Sequence, residues 1–426
     1  MPANVLYGQA GGVTPVINAS ACGVIQTVRK QPEVFGHMYA ARDGIIGALC
    51  EDLYDLDRET NAAIDSLYYA PGGAFGACRY DLGSFDNYRH QYERLVEVLD
   101  AHDIGYFFYN GGGGSMVTAH KIRQAAEALG YPLTVMGIPK TIDNDLAGTD
   151  CSPGFGTTAK YVATATREAA LDVRSMAETS TRVFILEVMG RNAGWLAAST
   201  GLAGNGPDDP PHLILFAERT FDEADFLARV RETVDRVGYC VVVASEGIRD
   251  ASGDPITVAH RSEVKAWVQL GGVAAQLAST VRESLGYKVH WALPDYLQRS
   301  ARHVASRTDV EQAYAMGEAA VHLAEAGENG LMPIIERIGT NPYAWEVAST
   351  ELGNVADVES KVPDTYITED GYGITDEARE YLAPLIDGEV YPPYTDGLPD
   401  YTGLELFHVE RKLERYTLDE QPRPGA

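Results

Sequence analysis

The sequence predicts an α/β fold built from doubly wound, parallel sheets, and three observations point to it. Short β-rich runs alternate with helical stretches along most of the chain, which is the pattern of parallel strands joined by helical crossovers. Glycine and polar clusters directly follow several predicted strands, at the positions where ligands bind in such sheets. The length of 426 residues suits about two or three domains of ordinary size.

Continuous apolar runs mark the strands of the first half, and a glycine or polar turn ends each one. The predicted elements are, in order, a strand at Val5–Tyr7, a helix at Asn18, a strand at Ile104–Tyr109, a helix from Ser115 and a strand at Leu133–Ile138.

The second half repeats the alternation. Its predicted strands are Arg182–Val188, Leu213–Ala217, Tyr239–Ala244, Lys288–Leu293 and Leu331–Ile338, and its predicted helices are Trp195–Leu202, Asp222–Val237, Gly272–Leu285 and Asp309–Ala326. After about Pro342 the chain becomes aromatic, Pro-rich and acidic with weak periodicity. We therefore expect a C-terminal extension that packs on the core.

Charge and composition exclude several classes of protein. There are 34 Lys and Arg against 61 Asp and Glu, a formal net charge of −27, which would repel nucleic acid and anionic membranes. An apolar fraction of 45% with 22% charged residues is typical of a globular protein. No window approaches the ~20 apolar residues of a membrane span, and the first residues lack the features of a secretory signal.

Cysteine and histidine patterns argue against structural thiols and zinc. The 5 cysteines are far apart with no CxxC pair, so we expect neither disulfides nor a thiolate zinc site, and a cytoplasmic location. The 10 histidines show no HxxxH or HExxH spacing.

Two glycine turns follow predicted strands and are candidates for anion binding through backbone N–H groups. Gly11-Gly12 is equally compatible with a tight turn that has no ligand. Gly111 to Gly114, followed by Ser115, is a stronger candidate, because four glycines lose much entropy on ordering. Neither turn is a Walker P-loop or a GxGxxG fingerprint, so a dinucleotide-binding dehydrogenase is a remote alternative.

The densest polar cluster at a strand end is Pro139 to Asp145. Lys140 offers a positive charge for a phosphoryl group, Asp143 a carboxylate that accepts a hydroxyl proton, and Asp145 a ligand for a divalent cation. The alternative is an Asx-rich turn that caps the next helix.

Further cations and one acid lie beyond other strand ends. Guanidinium groups suit bidentate recognition of phosphate, and Glu246 offers an acceptor for a sugar hydroxyl. The candidates are Arg79, Arg182, Met189-Gly190-Arg191, Glu246 and Tyr296-Leu297-Gln298-Arg299.

In this order the motifs resemble the phosphofructokinase family over nearly the whole chain. The matching stretches are GQAGGVTPVIN, PGGAFGACR, NGGGGS, PKTIDND, EVMGRNAG, SEGI and YLQR. Within the family the chain is most similar to the pyrophosphate-dependent bacterial branch, through YFFYNGG, CSPGFG, HWALPDYLQR and ASRTDVEQAYA.

The resemblance implies a role for each candidate residue. Asp143 would take the proton from the sugar 1-hydroxyl, Thr141 would contact the transferring phosphoryl group, and Lys140 would stabilise the departing phosphate. Donor contacts would come from Gly12, Arg79, Gly113, Gly114 and Ser115. The sugar phosphate would be bound by Thr141, Asp143, Met189, Gly190, Arg191, Glu246, Tyr296, Leu297, Gln298 and Arg299, and by Arg182 of a neighbouring subunit.

The resemblance leaves the phosphoryl donor open. Pyrophosphate-using relatives usually have a lysine where Lys140 stands, and ATP-using relatives a glycine. The glycine loop, however, lacks the aspartate that in pyrophosphate users occupies the space of the α-phosphate of ATP, here at Gly114. The loop also lacks the aspartate that assists Mg²⁺ in ATP users, which leaves Asp145 as the expected carboxylate for the Mg²⁺ cofactor.

The resemblance implies two α/β domains with the active site in the cleft between them, plus the extension. The expected boundaries are 1–140 for the donor domain, completed by about 297–345, then 141–296 for the sugar-phosphate domain and 346–426 for the extension. The expected reaction transfers phosphate reversibly from pyrophosphate to fructose 6-phosphate in a homodimer or homotetramer, with no nucleic-acid or membrane partner. ATP-dependent transfer and a regulatory subunit of low activity are the alternatives.

Overall fold

The computed structural model describes residues 2–257, 260–261, 268–356, 358–401 and 403–419. Two separate sheets carry the alternating pattern, and the predicted α/β class is confirmed.

The first sheet has five strands in the order β3-β2-β1-β4-β5. All neighbours are parallel except β2 and β3. Its strands are β1 (Asn4–Gln9), β2 (Met38–Ala41), β3 (Leu53–Asp55), β4 (Ile104–Gly111) and β5 (Thr134–Pro139). The helices of this part are α1 (Ile17–Arg29), α2 (Ile45–Cys50), α3 (Asn61–Ser66), α4 (Arg89–Ala101) and α5 (Gly113–Ala128).

The second sheet is wholly parallel, with four strands in the order β11-β6-β8-β7. The strands of this part are β6 (Val183–Val188), β7 (Leu213–Leu215), β8 (Cys240–Ser245), β9 (His260–Arg261), β10 (Val268–Gln269) and β11 (Val289–Ala292), of which β9 and β10 form a separate antiparallel pair. Its helices are α6 (Phe155–Met176), α7 (Trp195–Ser199), α8 (Glu223–Val237) and α9 (Val273–Leu285).

Local sequence signals explain the elements of the second sheet. Every residue of β8 is buried, as expected of an apolar run covered on both faces. Helix α8 begins where the Asp222 side chain accepts a hydrogen bond from Asp225 N–H, 3.0 Å long, and ends at Gly238, whose φ of 90° suits glycine.

After the second sheet the chain returns to the first through α10 (Arg307–Glu325). Helix α10 packs on α1 at two glycines. A Cβ at Gly23 would lie 2.3 Å from Tyr314 O, and one at Gly317 would lie 2.1 Å from Ser20 O. Only glycine permits this close approach of the two backbones.

The last part of the chain begins with an antiparallel hairpin. The predicted strand at 331–338 corresponds to β12 (Leu331–Thr340), which pairs with β13 (Tyr343–Glu351). The expected start of the extension, residue 346, therefore lies inside β13. The remaining elements are α11 (Leu352–Val355), α12 (Asp376–Leu382), β14 (Tyr394–Thr395) and β15 (Leu398–Pro399). Among the described residues no helix is long and apolar enough to span a bilayer.

His212 lies just before β7, and its surroundings predict that the protein loses stability as the pH falls. Its Nδ1 accepts a hydrogen bond from Val241 N–H, 2.9 Å long, so the ring is neutral, and burial lowers its pKa to about 4. Because the unfolded chain binds the proton more tightly, stability is lost as the pH falls from about 6.5 toward 4. Because of this residue, we expect the free energy of unfolding to fall by about 1–2 kcal/mol between pH 7.5 and pH 5.

The matched variant is His212→Asn, whose amide oxygen can accept the same bond and does not titrate. Denaturant unfolding of both proteins at the two pH values measures the effect. An equal pH-dependent loss in wild type and variant would contradict this role of His212.

Candidate active site

Three cations from distant parts of the chain converge on the turn after β1. Gly11 has a φ of 75°, and a Cβ built there would lie 3.3 Å from Lys140 Nζ. A Cβ at Gly12 would lie 2.7 Å from Arg299 Nη1 and 3.2 Å from Arg79 Nη2. The Lys140 ammonium also donates a hydrogen bond to Gly12 O. In a chain of net charge −27, this is a local concentration of positive charge.

The second glycine turn lies beside this cluster. Strand β4 ends at Gly111, whose carbonyl accepts a hydrogen bond from Lys140 N–H, 3.1 Å long. Helix α5 begins at Gly113 and contains Gly114 and Ser115 in its first turn. Among the described residues, apart from its chain neighbours and the backbone of its own helix, no heavy atom lies within 4 Å of a Cβ built at Gly114. The first N–H groups of a helix of 16 residues favour an anion at this position.

The turn after β5 places a lysine and two aspartates next to these glycines. Lys140 and Thr141 are buried and Asp143 is half-buried. Thr141 Oγ1 accepts a hydrogen bond from Asp143 N–H, 3.0 Å long. Asn144, between the two aspartates, has a φ of 54°, a conformation that asparagine adopts more readily than most residues.

The acids of this turn have raised pKa values. Burial, with repulsion from Asp145 and Glu246, raises the pKa of Asp143 to about 7, and the attraction of Lys140 and Arg79 only partly opposes this. Burial also raises the pKa of Asp145. Asp143 follows β5 of the first sheet and Glu246 follows β8 of the second, so a carboxylate of the second sheet is near enough to influence the pKa of Asp143.

The pKa of Lys140 is lowered toward neutral, and burial is again the main cause. Only 3% of its surface is exposed, and this burial is the main cause that lowers its pKa to about 8. Asp143 opposes the shift, whereas Arg79 and Arg299 reinforce it. The positive charge is therefore costly without an anion and is stabilised when one binds.

On the second sheet, the loops after β6 and β8 are joined by hydrogen bonds. Ser245 Oγ donates to Gly190 O, 2.6 Å, and Gly190 N–H donates to the Glu246 carboxylate, 3.4 Å. Burial is the main cause that raises the pKa of Glu246, and Arg191 partly opposes it. The structure therefore brings Gly190, Arg191 and Glu246 together.

The segment Tyr296–Arg299 links the two sides. Gln298 is fully buried, and its side-chain oxygen accepts a hydrogen bond from Met189 N–H, 3.2 Å long. The next residue, Arg299, reaches the opposite side at Gly12. Sequential residues thus contact the two loops between which a substrate would lie.

Three candidate residues have exposed side chains within the single chain, and one of them, Arg182, lies away from this cluster. Arg182 is exposed just before β6, whereas the site lies at the other end of that strand; its guanidinium lies 6.0 Å from the Tyr287 ring. The side chains of Tyr296 and Leu297 are largely exposed, although the Tyr296 ring stacks at 3.6 Å under the Arg299 guanidinium.

Sequence reasoning missed two contributors. Glu187 is fully buried in β6, and its carboxylate accepts hydrogen bonds from Gly272 N–H and Ala274 N–H at the start of α9, 3.1 and 2.9 Å long. An acid inside an apolar strand was a signal that could have found it. Ser360 N–H donates to Asp145 O, 2.7 Å; nothing in the local sequence indicates this contact.

Comparison with known proteins gives a consistent result. Residues 4–324 match the family model described as phosphofructokinase. A pyrophosphate–fructose 6-phosphate 1-phosphotransferase of Halomonas elongata is 55% identical over 97% of this chain and 99% of its own length. A protein of the same name from Xanthomonas campestris is 57% identical over 96% of this chain and 98% of its own.

A solved structure agrees with these relatives. The crystal structure of a pyrophosphate-dependent phosphofructokinase from Nitrosospira multiformis superposes with a TM-score of 0.90 at 55% identity. It covers 97% of this chain, which in turn covers 100% of that protein.

Proposed function

Because this chain belongs to the phosphofructokinase family, we propose that it is a phosphotransferase acting on pyrophosphate and fructose 6-phosphate. The reaction moves a phosphoryl group to the sugar 1-hydroxyl and gives fructose 1,6-bisphosphate and phosphate, in either direction. The observation that carries the proposal is the position of Lys140: its buried ammonium donates a hydrogen bond to Gly12 O, beside Arg79 and Arg299, and it belongs to the same turn as Asp143.

The first step is proton removal from the sugar. Asp143 accepts the proton of the 1-hydroxyl as that oxygen attacks phosphorus. A pKa near 7 makes its carboxylate a better proton acceptor than an ordinary aspartate. Thr141 accepts the hydrogen bond from Asp143 N–H, which fixes the backbone of this turn beside the transferring phosphoryl group.

The donor occupies the cationic cluster. Phosphoryl transfer has a loose transition state, so the protein mainly positions groups and neutralises oxygens. Lys140, Arg79 and Gly12 contact the donor, with Gly113, Gly114 and Ser115 at the start of α5. Pyrophosphate has no adenosine to hold it, so the fixed charge of Lys140 stabilises the phosphate that leaves.

Substitution of Gly12 tests this cluster. Gly12→Ala places a methyl group 2.7 Å from Arg299 Nη1, which must move the guanidinium, and we expect kcat/KM for pyrophosphate to fall about tenfold or more. Gly206→Ala is the matched control, because its new methyl group meets only Asp209 Oδ2 at 3.7 Å. Equal steady-state rates for both variants would contradict the placement of the donor at Gly12.

The sugar phosphate lies between the two sheets. Glu246 accepts a sugar hydroxyl, while Met189, Gly190 and Arg191 line the site from β6. Gln298 holds the β6 loop and Arg299 supplies a cation, with Tyr296 and Leu297 beside it.

Mg²⁺ fits the acids of the catalytic turn. Asp143 and Asp145 offer the oxygen ligands that Mg²⁺ prefers, and their mutual repulsion is relieved by a divalent cation. We assign Asp145 as the ligand. When bound, the ion neutralises charge on the phosphate oxygens.

One observation favours ATP as a second candidate donor. Among the described residues the space around a Cβ at Gly114 is open, so this position carries no side chain that would restrict a longer donor. The regulatory-subunit alternative has less support, because the acids and cations of the site are brought together.

In this proposal a second copy of the chain contributes a residue to the sugar-phosphate site. Strand β11 is an edge of the second sheet, and nearby apolar side chains are exposed: Trp291 47%, Leu293 42%, Tyr296 62% and Leu297 64%. Such a patch is typical of an interface. We propose a homodimer or homotetramer in which this face is covered and Arg182 reaches the neighbour's sugar phosphate. All five cysteines are unpaired, which supports a reducing cytoplasmic location.

Product identification tests the reaction. In ³¹P NMR of the protein with Mg²⁺, pyrophosphate and fructose 6-phosphate, we expect the pyrophosphate signal to fall while equal amounts of phosphate and fructose 1,6-bisphosphate form. A sample without sugar controls for hydrolysis, and fructose 1,6-bisphosphate with phosphate tests the reverse direction. A pyrophosphate signal that stays unchanged over time would overturn the proposal.

A further inference from the structure

The C-terminal part of the chain contacts the turn that carries Asp143 and Asp145. Ser360 N–H donates to Asp145 O, 2.7 Å long, and Trp195 Nε1 donates to Ser360 O, 3.1 Å long. Ser360 therefore also contacts the second half of the chain, because Trp195 begins α7, the helix that follows the loop after β6.

A second contact comes from Tyr381 in α12. Its hydroxyl accepts a hydrogen bond from Asn144 Nδ2, 3.0 Å long, and donates one to Asp150 O. Asp150 is itself paired with Arg337 at 3.0 Å. The Tyr381 ring packs against Trp195, with centroids 5.4 Å apart. Both the ring and the hydroxyl of Tyr381 are thus fixed by neighbours.

Asn144 is the residue through which this contact reaches the two aspartates. It lies between them, is 4% exposed and has a φ of 54°, a left-handed conformation that asparagine adopts more readily than most residues. Its side-chain oxygen accepts a hydrogen bond from Ser152 N–H, 2.9 Å long, and its nitrogen donates to Tyr381. Removal of the Tyr381 hydroxyl would leave a buried donor unpaired between the two aspartates.

We propose that Tyr381 is a positioning residue for the catalytic turn, which it holds through Asn144 so that the Asp143 carboxylate faces the substrate. Its kinetic consequence rests on the proposed function. Catalysis is sensitive to the placement of a proton acceptor, and an error of about 1 Å costs on the order of a hundredfold in rate. The C-terminal extension is therefore part of the active-site framework.

Tyr381→Phe tests this inference, because it removes one oxygen and keeps the ring. We expect kcat to fall about 10- to 100-fold, with KM for fructose 6-phosphate changed less than about twofold, because Tyr381 has no place in the sugar site. Tyr366→Phe is the matched control: its ring packs 5.5 Å from that of Tyr381, and its hydroxyl makes no hydrogen bond to the turn among the described residues. We expect it to retain the wild-type kcat.

Hydrogen exchange of the amides in residues 141–152 gives a readout that does not depend on turnover. We expect faster exchange in Tyr381→Phe than in wild type and in Tyr366→Phe, with similar thermal unfolding. If wild type shows no turnover, the proposed function fails and the exchange comparison still decides the positioning role.

The pair Asn144→Gly and Tyr381→Phe identifies the route of the effect. Glycine accepts the positive φ and removes the side-chain amide, so Tyr381→Phe should have no further effect on kcat in that background. If the reductions in kcat caused by the two substitutions multiply in the double variant, the inference is overturned. It is also overturned if Tyr381→Phe alone has the wild-type kcat and the wild-type rate of amide exchange.

Discussion

Replacing Asp143 by asparagine is expected to lower kcat by about 10³-fold, while fructose 6-phosphate still binds with nearly unchanged affinity. Asparagine has the same shape, but its amide cannot accept the proton of the 1-hydroxyl. General-base groups contribute about 10²–10⁴-fold, and the raised pKa of Asp143 is the feature that suits it to this role. Steady-state rates and calorimetric titration with the sugar phosphate measure the two quantities.

The control for this variant is Asp86→Asn, an exposed aspartate whose side chain forms no hydrogen bond or ion pair among the described residues. It makes the same chemical change outside the site and should retain wild-type kcat. An unchanged kcat in Asp143→Asn would remove Asp143 from the role of base.

Replacing Lys140 by methionine is expected to lower kcat/KM for pyrophosphate by about 10²–10³-fold, the cost of removing one electrostatic stabiliser from a closed site. Methionine fills nearly the same volume, so the buried position is not left as a cavity. The loss should be larger with pyrophosphate than with ATP, because adenosine contacts do not depend on this ammonium. Rates measured with each donor test the difference.

Lys30→Met is the matched control, since Lys30 is exposed at the end of α1. An equal loss with both donors in Lys140→Met would show that Lys140 serves the chemistry in general and does not select the donor.

The strands that position the site were predictable because each is a continuous apolar run. β4, β6 and β8 lie at or within one or two residues of their predicted positions. Lys140 and Asp143 were predicted as candidates because they directly follow such a strand. Strand β3 was missed because its three residues, Leu53–Asp55, end in an acid and form no continuous apolar run.

Contacts between distant segments could not be predicted from local pattern. The approach of Arg299 to Gly12 depends on how α10 and the preceding segment return to the first sheet. The contacts of Ser360 and Tyr381 with the catalytic turn come from a region whose weak periodicity gave no element to place.

The donor is the central claim, and one comparison tests it most directly: kcat/KM of the purified protein for pyrophosphate and for ATP, with fructose 6-phosphate and Mg²⁺ held constant. We expect a clear preference for pyrophosphate, because Lys140 and Arg79 are the cations that we assign to its phosphates. A preference for ATP would contradict this account and would mean that the open space at Gly114 sets the donor.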